Sequence, residues 1–152
     1  MSAFVTAGAG FLLAVLWFDL MFDVQVLGHD GERTLPEAQL SSIAAYYARV
    51  TTAARPMNRL IATAMLATIA AIVVEIADDG GAVPAALAWV SLALALAPIL
   101  LAGSRTVPHA VRLGTRADPP ANQSALARSI LREHLFCFAS IAALIALQLC
   151  WS

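Results

Sequence analysis

Apolar residues fill four long stretches of the chain, and most polar residues are gathered between them. The first stretch, about residues 3–26, carries only two charged side chains, Asp19 and Asp23. The others cover about 57–77, 85–103 and 130–151. At 1.5 Å per residue, ~20 helical residues cross a hydrocarbon core ~30 Å thick, so the pattern predicts four membrane-crossing helices. The segment 36–54 differs. Leu40, Ile43, Tyr47 and Val50 form one stripe, with Glu37, Ser41, Tyr46 and Arg49 more polar around it. That periodicity predicts an amphipathic helix at the membrane surface or at the inner end of the bundle. The expected fold is therefore all-α: an integral-membrane four-helix bundle, one domain over residues 1–152, with an interfacial helix between spans one and two.

Local punctuation sharpens the boundaries. Gly28-His29-Asp30-Gly31 ends the first helix, and Thr34-Leu35-Pro36-Glu37 supplies a capping Thr, a first-turn Pro and a Glu. Pro56 opens span two, Asp78-Asp79-Gly80-Gly81 forms the turn after it, and Pro84 opens span three. Pro98 removes a backbone hydrogen bond inside span three and predicts a bend with a small cavity beside it. Pro108 marks a further break, Asp118-Pro119-Pro120-Ala121-Asn122 a loop, and Ser124 the cap of the last helix. The N-terminal stretch lacks the basic flank of a signal peptide, which favours a retained first helix.

Composition settles the solvent. The chain is 61% hydrophobic and 12% charged, with a mean hydropathy of +0.79, whereas about a quarter of a soluble domain is charged. Lipid is thus the principal partner. All nine basic residues are arginines, at positions 33, 49, 55 and 59 and then 105, 112, 116, 128 and 132. Inner loops of membrane proteins are enriched in basic residues, so this placement predicts a cell (cytoplasmic) membrane protein with both termini outside. A net charge of -1 gives nucleic acid no footing.

Chemistry is confined to a few polar residues near the inner boundary. Asp19 and Asp23, four apart, share a helix face. Carboxylates partly inside lipid are costly, ~2.5–3.5 kcal/mol each, and require cations, hydrogen bonds or water. Arg55, Asn58 and Arg59 enter the same layer on span two, and Arg128, Arg132, Glu133 and His134 on span four. Two arrangements follow: aspartates paired with arginines as a structural lock, or a polar pocket of Asp19, Asp23, Arg55, Asn58, Arg59, Arg132, Glu133 and His134. No spacing matches a metal-binding or cofactor motif, so no metal is expected and no cofactor is indicated. His29 and His109 are expected in solvent. Glu75, Asp78 and Asp79 are expected as an exposed acidic turn. Cys137 and Cys150 lie too far apart on one helix for a disulfide.

Arg55-Pro56-Met57-Asn58-Arg59-Leu60, Val107-Pro108-His109-Ala110 and Ala127-Arg128-Ser129-Ile130-Leu131-Arg132-Glu133-His134, in this helix plan, resemble the anthrone-oxygenase-like family of small four-span membrane proteins. The resemblance implies the four-span fold and, for the family's named activity, oxidation of anthrones to anthraquinones by oxygen. The residues alone favour a non-catalytic accessory or assembling subunit, a homo-oligomer or membrane partner subunit packing through Gly8/Gly10 and Ala67/Ala71. The alternative is a membrane enzyme or small-molecule binder. In it, Asp19 or His134 accepts a proton and Arg59 or Arg132 holds an anionic oxygen.

Overall fold

A computed structural model describes residues 2–29, 31–78 and 84–151. The side chain of Arg55 and most of the turn after span two, Asp79 included, lie outside the described residues. The described chain is helical throughout: α1 (Ser2–Asp23), α2 (Glu37–Ala48), α3 (Arg55–Ala77), α4 (Ala85–Leu101), α5 (Val107–Thr115) and α6 (Pro120–Cys150), with short 3-10 or π turns between some of them. Four helical stretches are long and apolar enough to cross a bilayer: Ser2–Val26, Pro56–Ala77, Ala85–Thr115 and Pro120–Cys150. The protein is thus a multi-pass membrane protein with the predicted all-α four-helix plan.

Neighbouring spans follow a ring, because α1 packs on α6 and α3, and α4 packs on α6 and α3. Within the ring, one core holds Val5, Ala9, Leu12, Ile72, Ile141 and Leu144. A second core forms where α2 folds under the bundle against α5, bringing Leu40, Ile43 and Tyr47 onto Leu20, Leu113 and Ile130. The apolar stripe predicted on α2 is therefore buried within the chain: Leu40, Ile43 and Tyr47 are all 2% exposed or less.

Two glycines set close helix approaches. A Cβ at Gly114 would sit 2.8 Å from the Ala48 backbone nitrogen, so only glycine lets α5 lie this near α2. On α1, a Cβ at Gly8 would overlap Thr68 Oγ1 of α3. Gly8→Ala is expected to cost about 1–3 kcal/mol through overpacking. Thr68→Ala in the same chain should return most of that loss, since it removes the overlapping oxygen. Thermal unfolding of the two single variants and the double variant in detergent measures the coupling, and strictly additive losses would contradict this contact. Of the four small residues expected at an association face, Gly8 and Ala71 pack inside the bundle, whereas Ala67 and Gly10 face outward.

Several boundaries move. No side chain caps α2, whose first turn follows Pro36 directly. Ser124 lies one turn inside α6, where its hydroxyl donates to the Pro120 carbonyl and accepts the Leu35 backbone N–H, tying the first inner link to the last helix. The helix of span three continues past residue 103. After Pro98, the chain passes through a π turn at Ala102–Thr106 and continues into α5. The wide turn lies just before Pro108, which stands in the first turn of α5 and has no N–H to donate back into the ladder.

Candidate functional site

Asp19 and Asp23 point into the bundle near its α2 end, but no arginine reaches them among the described side chains. Their partners are two adjacent tyrosines of α2 and the histidine of α6. Tyr46 donates to Asp19 Oδ1 at 2.6 Å, and Tyr47 donates to Asp23 Oδ1 at 2.6 Å. His134 Nδ1 lies 2.6 Å from Asp23 Oδ2, and its Nε2 lies 3.9 Å from Asp19 Oδ2. Asp23 is completely buried, and its two hydrogen-bond donors make that burial tolerable.

The geometry has a chemical direction. A carboxylate acceptor at Nδ1 selects the imidazole tautomer that carries its hydrogen there and leaves the Nε2 lone pair facing Asp19. The 3.9 Å gap between Nε2 and Asp19 Oδ2 exceeds a hydrogen bond and leaves both atoms able to contact a third group. Burial, followed by the neighbouring aspartates, pushes both tyrosine hydroxyls far above the ordinary phenol range. Tyr46 and Tyr47 are therefore fixed donors. Phe22 stacks on Tyr46 with ring centroids 4.0 Å apart, which holds that ring against α1.

The cluster borders a cavity of about 570 Å³ between the two apolar cores. Its walls are mostly hydrocarbon: Phe11, Leu16, Met57, Met65, Ile99 and Ile141 among others. Asp19, Tyr46, Tyr47 and His134 form its polar end, with Asn58, Thr51, Thr106 and Cys137 also on the wall. A cavity of this size with a few convergent polar groups has the form of a small-molecule site.

The remaining predicted residues separate from this centre. Asn58 lines the cavity and donates to the Thr51 carbonyl at 3.3 Å. Arg59 is exposed and outside the cavity wall. Arg132 is exposed and donates to the Arg128 carbonyl, while Arg128 itself donates to the carbonyls of His29 and Glu32. Among the described side chains no arginine pairs with Asp19 or Asp23, and neither Arg59 nor Arg132 lines the cavity. Several arginines find other partners instead: Arg116 pairs with Glu37 at 2.7 Å, Arg112 with Asp118 at 2.7 Å, and Arg128 and Arg132 donate to backbone carbonyls.

Glu133, one residue before His134, turns to another face of α6. It accepts from Ser129 at 2.9 Å and lies 3.2 Å from His109 Nδ1 and 3.7 Å from Arg105 Nε. His109 and His29 are both partly exposed, His109 beside the buried Glu133 carboxylate and His29 beside Glu32. Glu75 is also turned inward: it is buried and accepts from Gln148 at 3.4 Å, and Gln148 reaches Ser91 at 3.1 Å. Cys137 is buried on the cavity wall and Cys150 is exposed, with no disulfide. Among the described residues, no group of three or more His, Cys, Asp or Glu side chains is arranged to hold a metal ion.

The two tyrosines are the members of this polar cluster that sequence reasoning passed over. Tyr47 reads as part of the apolar stripe and Tyr46 as surface, yet adjacent tyrosines on a helix next to two intramembrane aspartates are a hydrogen-bond donor signal. Comparison of the chain with protein-family models, with curated proteins and with solved structures gives no match.

Proposed function

We propose that this protein binds a small, largely apolar molecule in the inner cavity and exchanges a proton with it at His134, with Asp23 orienting the imidazole and Asp19 holding the other side of the reacting group. The observation that carries this reading is the His134–Asp23 contact of 2.6 Å at the polar end of a cavity of about 570 Å³. A buried imidazole held by a carboxylate on one nitrogen and open on the other is the arrangement of a general base. Tyr47 donates to the same carboxylate and fixes its second oxygen. We place the protein in a cytoplasmic membrane with both termini outside, supported by arginines gathered in two stretches, 33–59 and 105–132, that cover the first and third links and the adjoining span ends.

The resemblance to the anthrone-oxygenase-like family suggests the reaction. His134 takes a proton from the methylene carbon of an anthrone, and the resulting carbanion is oxidised by dioxygen, so that anthrone and O2 give anthraquinone and water. Dioxygen dissolves in hydrocarbon, and the apolar wall keeps bulk water from the anion. The test uses 1,8-dihydroxyanthrone with the purified protein in lipid nanodiscs, following the anthraquinone absorption. Wild-type protein should accelerate its appearance and His134→Ala should lose that acceleration while remaining folded. Equal rates with wild type, His134→Ala and empty nanodiscs would overturn the oxidation, and absence of binding as well would overturn the cavity reading. An assembling subunit is the second reading, favoured by the outward-facing Gly10 and Ala67.

A further inference from the structure

The ring of spans closes unevenly. On α3, Thr68, Ala71, Ile72 and Glu75 are buried, but none of the side chains from Pro56 to Ala67 is. The half of α3 nearer α2 is therefore less fully covered, with Ile61, Ala64 and Met65 packed on the core but only partly buried, and the cavity lies behind it. Its rim is exposed on both neighbouring helices, at Ala14 and Phe18 of α1 and at Met57 and Ala62 of α3. These rim residues belong to two apolar candidate spans, Ser2–Val26 and Pro56–Ala77. A side opening between two spans faces hydrocarbon, where no water competes for an apolar solute.

The wall also selects what can come through. No arginine or lysine lines the cavity among the described side chains, while the Asp19 carboxylate stands at its polar end. An anionic headgroup would meet like charge with no guanidinium to offset it. A neutral molecule with an apolar body meets neither obstacle.

We propose that the cavity is filled sideways from the bilayer, through the gap between α1 and α3, by an uncharged membrane-dissolved molecule rather than by a phospholipid. The inference rests on the cavity being a binding site, and Cys137 on its wall reports access without any knowledge of the natural ligand.

The experiment uses the full chain with Cys150→Ser in proteoliposomes, labelled either with lipid-soluble N-phenylmaleimide or with a membrane-impermeant, charged methanethiosulfonate. Cys137 should react with the maleimide and not with the charged reagent added on both sides. Ala62→Trp, or independently Ala14→Phe, should block labelling at the rim. Leu100→Trp, on an exposed surface outside the cavity, should not. The neutral quinone decylubiquinone should protect Cys137, and added phosphatidic acid should not. Three results would overturn side loading: reaction with the charged reagent, no reaction with the maleimide, or labelling unchanged by both rim substitutions. Protection by phosphatidic acid would assign the cavity to phospholipid, and labelling that falls as protein density rises would assign the rim to a second copy; either overturns the proposal. If the labelling pattern holds while 1,8-dihydroxyanthrone is left unoxidised, side loading stands and only the reaction proposed above fails.

Discussion

Asp23→Ala is expected to cost about 3–5 kcal/mol, the combined loss of two buried hydrogen bonds to a charged group at ~1.5–3 kcal/mol each. Both Asp23 oxygens are occupied: Oδ1 accepts from Tyr47 and Oδ2 contacts His134 Nδ1. Alanine leaves the Tyr47 hydroxyl and His134 Nδ1 without their shared acceptor and with only each other, 3.4 Å apart, as a long replacement contact. The loss propagates, because Asp23 joins three elements: α1 carries it, α2 supplies Tyr47 and α6 supplies His134. Asp23→Asn should be milder, since one carbonyl oxygen remains as acceptor. Equilibrium unfolding in mixed micelles gives the difference directly. An Asp23→Ala protein as stable as wild type would show that the triad contributes nothing to holding α2 under the bundle.

Tyr47→Phe has the second largest expected effect, about 1.5–3 kcal/mol, the range for a hydrogen bond to a charged group. Its ring is retained and only the hydroxyl is lost, so the change isolates the bond to Asp23. Tyr46→Phe is the internal comparison. Its bond to Asp19 is equally short, but the residue is only partly buried and Phe22 still stacks on the ring. The Tyr46 variant should therefore lose clearly less stability. Ligand-linked proton exchange should show a different order: Tyr46→Phe frees Asp19 Oδ1 at the cavity wall and should shift its pH dependence, whereas Tyr47→Phe acts only through the orientation of His134. Indistinguishable stabilities for the two variants would contradict the burial difference on which the argument stands.

Much of this fold was legible because hydrocarbon imposes so few solutions on a chain. Four apolar stretches of sufficient length, separated by polar links, leave a helical bundle as the simplest arrangement, and Pro36, Pro56 and Pro84 mark helix starts within a residue or two. The Asp19, Asp23 and His134 centre was also visible as an excess of ionisable groups where ionisable groups are costly. Partner choice was not legible. The opposite charge of nearby arginines suggested ion pairs, but the neutral phenols of Tyr46 and Tyr47 take the carboxylates. Helical spacing assigns a residue to a face, yet which element that face meets depends on how α2 folds beneath the bundle, a long-range contact with no periodic signature. The inward turn of Glu75 and the approach of His109 to Glu133 were hidden for the same reason.

The central claim is that the cavity beside His134 holds a small neutral molecule. Native mass spectrometry of the protein released from gently extracted membranes tests it most directly, with analysis of everything that dissociates on activation. The account predicts a small neutral, apolar compound bound to wild-type protein and lost from a folded His134→Ala variant or one with Ala62→Trp at the rim. Release of phospholipid alone, or the same compound retained by both variants, would contradict it.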